Sequence, residues 1–162
     1  MFSSVIPSYR LGAFAAVLAV TAFMPPASAQ EHHHTVVIPD EVEFQQGPPS
    51  LPEGAQIAVL YGNPAEEGPF ALRLKFPAGY TIPPHTHPKD EIVTVISGKL
   101  GLTAGDILDR SAAPLLAAGS LVVLPSGMAH FAWVEEETII QLNSIGPLKI
   151  TYLQDADDPR VN

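Results

Sequence analysis

Four side chains have the types and spacing of a metal site: His85, His87, Glu91 and His130. On an extended strand alternate residues share a face, so His85 and His87 point the same way. Glu91 keeps that parity four residues on, and its carboxylate joins both imidazoles if the strand continues through Pro88. His130 opens the run Ala129 to Val134, which can pair antiparallel with the first strand and bring a third imidazole opposite. Three neutral imidazoles with one carboxylate suit Fe, Mn, Co, Ni, Cu or Zn, and not Ca or Mg. Glu91 is also a candidate catalytic base, loosening from the ion when substrate binds. The bland alternative is a solvent-facing pair of histidines on a loop after Pro83-Pro84.

The elements that must position these residues read as strands. From Gln56 onward, short apolar runs alternate with Gly/Pro punctuation: 56–61, 70–76, 92–96, 99–103, 120–124, 129–134, 138–143 and 148–153. Such spacing predicts an all-β sandwich or barrel. The 17 prolines, mostly between the runs, disfavour long helices. Asp106 to Ala118 is the one stretch where a helical turn is expected. Phe70, Leu72, Leu74 and Phe76 alternate with Arg73 and Lys75, the pattern of a half-buried strand. Leu124-Pro125-Ser126-Gly127 fits a type I turn with proline second and glycine fourth.

Two motifs in this region resemble those of the cupin superfamily. The first, G-x5-H-x-H-x3-E-x6-G, is met without a gap by Gly79, His85, His87, Glu91 and Gly98. The second, G-x5-P-x-G-x2-H-x3-N, is met by Gly119, Pro125, Gly127 and His130, but Val134 stands where the motif has Asn. Residue frequencies give the first motif by chance on the order of once in 10^5 such chains. The resemblance covers Gln56 to about Tyr152. It implies a small antiparallel jelly-roll β-barrel (a double-stranded β-helix), often dimeric, with one divalent transition metal in its mouth. The Val134 departure removes an inward polar group and leaves the four ligands intact.

With His130 inward, Ala132 and Val134 share its face and Phe131 and Trp133 point outward; Val93 and Val95 lie with Glu91, and Ile92, Thr94 and Ile96 opposite. Large outward apolar groups need cover from another sheet, the N-terminal arm or a second subunit, and a homodimer is the expectation. Tyr61, Tyr80, Gln141 and Tyr152 are the remaining polar candidates for a pocket poor in acids and bases. That poverty disfavours sugar epimerisation, which needs a free His or Tyr beside the substrate. Two readings stay open: a metal-dependent dioxygenase or decarboxylase for a small oxygenated molecule, and a non-catalytic metal- or ligand-binding module.

Composition narrows the partners. With 8 Lys+Arg against 17 Asp+Glu the net charge is −9, which repels phosphate backbones and argues against nucleic acid. Zero cysteines remove thiolate nucleophiles and Cys-type zinc sites. Residues 1–29 read as a signal peptide, with an apolar stretch from Leu11 to Met24 and cleavage after Ala29. The expected location is therefore periplasmic or secreted, with no membrane span left after cleavage; an uncleaved anchor is the alternative. An extended arm (30–55), the cupin domain (56–153) and a solvated tail (154–162) follow. Cleavage would place His32 third from a free amine, a square-planar nest for Cu(II) or Ni(II), against a plain solvated tail for His32-His33-His34.

Overall fold

The computed structural model describes residues 34–161. The expected signal peptide (1–29) with its expected cleavage site, and His32 and His33, lie outside the described residues; His34 is exposed. Eleven strands follow in chain order: β1 (Gln45–Gln46), β2 (Gln56–Tyr61), β3 (Gly68–Phe76), β4 (Thr81–Thr86), β5 (Glu91–Ser97), β6 (Lys99–Ala104), β7 (Leu116–Ala117), β8 (Leu121–Leu124), β9 (His130–Val134), β10 (Thr138–Gly146) and β11 (Thr151–Tyr152). They form two antiparallel sheets, one ordered β1-β2-β3-β10-β5-β8 and the other β11-β4-β9-β6-β7. The core lies between them, as the alternating sequence requires. On β3, Phe70, Leu72, Leu74 and Phe76 are buried, while Lys75 faces out and sets its ammonium 5.2 Å from the Phe44 ring. This is an all-β jelly-roll barrel.

The strand expected to carry His85 is present, and it pairs antiparallel with the His130 strand as expected. β4 carries His85 yet contains Pro83-Pro84, and proline cannot donate to a ladder. The fold absorbs both prolines at an irregularity, where the β4–β9 register shifts between Ile82 and His85. The C-terminal run is shorter than its apolar pattern, since only Thr151 and Tyr152 pair, with Thr86 and His85.

Three local expectations are corrected. Asp106 to Ala118 forms no helix; it is a series of bends that ends in β7. Thr81 is on β4, across β9 from β6 and β7, so the Arg110–Thr81 hydrogen bond (2.7 Å) carries this excursion over the outer face of β9. Phe131 and Trp133 do point outward, but they are 1% and 2% exposed: the chain covers them itself, so they give no reason for a second subunit. Ile92, Ile96, Leu121 and Val123 on the other sheet remain exposed. Finally, the turn before β9 is Pro125 to Met128, closed by Met128 N–H to Pro125 O at 3.1 Å. Gly127 sits at its third position with φ +76°, as a type II turn demands. The Gly127 N–H donates instead to His87 O at 2.8 Å, which docks the turn on the His87 loop.

Candidate metal centre

His85 and His130 meet because β4 and β9 are paired in register at those residues; their rings are 4.2 Å apart. His87 lies just beyond the end of β4. Glu91 does not continue that strand, contrary to the parity argument. Residues 87–90 cross the barrel after Pro88, and Glu91 opens β5 in the opposite sheet, paired with Leu124. The carboxylate therefore faces the three imidazoles across the cavity, and all four side chains converge.

Hydrogen bonding fixes what each ring presents. Nδ1 of His85 lies 2.7 Å from Pro83 O, that of His87 2.8 Å from Lys149 O and that of His130 2.9 Å from Met128 O. A carbonyl oxygen only accepts, so each Nδ1 carries the proton and each Nε2 offers a lone pair. Burial keeps the rings neutral. It pushes His85 down to about 3, helped by neighbouring His130, and His87 down to about 4. It also lowers His130. Burial likewise pushes the Glu91 carboxyl up to about 8.

The centre thus holds three lone pairs and one carboxyl group, whose own proton is the one donor among the four side chains when no ion is bound. The ligating atoms of the three histidines lie within 4.8 Å of one another. Glu91 Oε1 is 3.4 Å from His87 Nε2, and Oε2 is 3.7 Å from His130 Nε2. Oε1 is buried and has no hydrogen-bond partner. Donors about 2.1 Å from a shared ion stand roughly 3–4 Å apart, so small inward movements suffice to close the set. An orphaned carboxylate oxygen beside three acceptors fits a cation. The three histidines are positioned to hold a metal ion.

The cluster stands at one end of a cavity of about 260 Å3 between the sheets. Part of the wall comes from the N-terminal arm, as Pro48, Ser50 and Leu51, which the sequence did not connect with the site. Two tyrosines hold that strap: Tyr80 donates to Pro52 O at 2.6 Å and Tyr152 to Ser50 O at 2.8 Å. Burial raises both phenols, Tyr152 to about 12. Their hydroxyls are thus committed to the strap. Of the other polar candidates, Tyr61 is exposed and Gln141 donates to Asn143 at 3.3 Å on the outer face. The one sign of the strap in the sequence is Pro48-Pro49, which stiffens an otherwise polar arm.

Two antiparallel sheets enclosing a histidine cluster on β4, the loop after it and β9 define a cupin. The chain belongs to the ChrR Cupin-like domain family, whose pattern matches residues 31–149. Among solved structures it is similar to the polyketide cyclase RemF from Streptomyces resistomycificus, with TM-score 0.61 and 15% identity, covering 79% of this chain and 91% of that one. It is equally similar to an acetylacetone dioxygenase from Acinetobacter johnsonii, with TM-score 0.61 and 19% identity over 82% and 85% of the two chains. Germin-like protein 9-3 of Oryza sativa subsp. japonica is 37% identical over 59 residues, 36% of this chain and 28% of that relative. The match thus spans under a third of that relative's length.

Proposed function

We propose that this protein is a metal-dependent enzyme of the oxygenase or decarboxylase type, acting on a small oxygenated molecule. In this reading His85, His87, Glu91 and His130 hold one divalent transition ion, and Glu91 doubles as the base. The carrying observation is three imidazoles with their Nδ1 protons committed to backbone carbonyls, facing an orphaned carboxylate oxygen. A bound ion would supply Lewis acidity and, if redox-active, reactivity toward dioxygen. The chain supplies the rest. The carbonyls of Pro83, Lys149 and Met128 fix the rings; the apolar walls keep water from the reacting atoms. When Glu91 loosens from the ion, its carboxylate is the group in reach to receive a substrate proton, and burial, which raises its proton affinity, favours that transfer. The name borne by the Acinetobacter relative is in keeping with this chemistry.

A second reading is a non-catalytic metal-binding module. It is favoured by the lining, in which Glu91 is the only carboxylate among the described residues. Oxygen consumption and substrate turnover by Fe-, Mn-, Ni- and Cu-loaded protein separate the two. The enzyme reading expects turnover with at least one metal, lost in His85→Ala; stoichiometric metal binding with no turnover would leave the module.

A further inference from the structure

We infer that the barrel's ligand is a compact, hydrocarbon-bodied monoanion of roughly ten non-hydrogen atoms, whose single oxygen-bearing head meets the histidine cluster. The inference rests on the metal-holding reading above and names the substrate class of that same site. Size comes first. An engineered apolar cavity of about 150 Å3 holds benzene, and this one measures about 260 Å3. By proportion it takes a ring or short branched chain with one small functional group.

Polarity comes second. The polar side chains on the wall are His85, His87, Glu91 and His130, gathered at one end, and Ser50 on the half-buried strap. Elsewhere the wall is apolar, as at Leu72, Leu74, Leu100, Leu102, Ile140 and Leu142. These residues belong to strands inside the two sheets, so their backbone N–H and C=O groups are spent in the ladders. A hydroxyl placed against these strands, away from Ser50, finds no partner, and each one weakens binding by about tenfold or more. Sugars and polyols are thereby rejected by the wall itself.

Charge comes third. A divalent cation with three neutral imidazoles and one carboxylate leaves a net charge of +1 in an apolar enclosure. Among the described residues, no second carboxylate lines the cavity to offset it. A ligand with one negative charge at its head neutralises the site, whereas a neutral alcohol leaves the excess charge buried.

The test uses the full-length protein loaded with Co(II), whose visible bands report a change of inner-sphere ligand, together with calorimetry. The probes are cyclohexanecarboxylate, gluconate and cyclohexylmethanol. The carboxylate should perturb the bands and bind about 100-fold more tightly than either of the others. Ala132 lines the same wall, so Ala132→Phe should abolish carboxylate binding while Co(II) still binds at one equivalent. The milder Ala132→Leu should weaken it by about tenfold, and serves if the larger variant does not fold. Gluconate or the alcohol matching the carboxylate would overturn the inference, as would carboxylate affinity unchanged in a folded Ala132 variant. Failure of the ligand-free protein to take up Co(II) is read in a separate titration and would remove the metal reading itself.

Discussion

Replacing Glu91 by Gln should stabilise the metal-stripped protein at alkaline pH and do so less as the pH falls. The folded carboxyl titrates at about 8 against an ordinary value of 4.5. Between those values the folded state holds a proton that the unfolded chain has released. Stability is therefore lost as the pH rises through this window, at up to about 1.4 kcal/mol per unit. From pH 5.5 to 8.5 the loss comes to about 3 kcal/mol, allowing for the flattening of the titration near 8. The amide of the E91Q variant has no proton to lose, so the stability difference between variant and wild type should move by that amount in the variant's favour. The histidines act in the opposite sense. Their folded values lie below 6.5, so stability is lost as the pH falls below that point, but both proteins share this limb and it cancels. Urea unfolding of chelator-dialysed proteins at the two pH values measures the difference. A gap that stays constant, or shifts toward wild type, would show that Glu91 is neither desolvated nor proton-bound in the empty barrel.

Two further outcomes follow from the cover on the outer face. A methyl group added at Gly101 meets the fused-ring carbons of the buried Trp133 indole, so Gly101→Ala should cost about 1–3 kcal/mol, read as a lower urea midpoint; an unmoved midpoint would mean that the indole gives way freely. The chain has one tryptophan and Arg110 holds the excursion over it, so Arg110→Ala should raise acrylamide quenching of Trp133 fluorescence while leaving Co(II) uptake unchanged.

Much of the barrel was legible because its strands alternate cleanly. β2 has the bounds expected of it, and β3 buries the face its pattern marks. The strand that carries His85 was legible from its alternating histidines and not from an apolar run, since Pro83-Pro84 speaks against regular pairing. Parity misplaced Glu91: counting by twos assumes one strand, and the chain changes sheets at residues 87–90. The turn before β9 was displaced by one residue because Gly127 serves His87 O, a partner forty residues earlier in the chain. Part of the cavity wall was legible, since Ala132 and Val93 were placed on the inward face and line it, but the strap could not be read. Pro48, Ser50 and Leu51 reach the site only through tyrosine hydroxyls at positions 80 and 152.

What the sequence by itself determined was the set of candidate ligands and the architecture, since both follow from residue type and short spacing. Periods of two and turn-forming glycines act locally, and they carry the all-β barrel and its motif histidines. Only the tertiary structure decided that Glu91 faces the imidazoles from the opposite sheet, that each Nδ1 is claimed by a carbonyl, and that the chain covers its own Trp133. Those facts depend on groups far apart in sequence being brought within a few ångströms, and no local pattern encodes such distances.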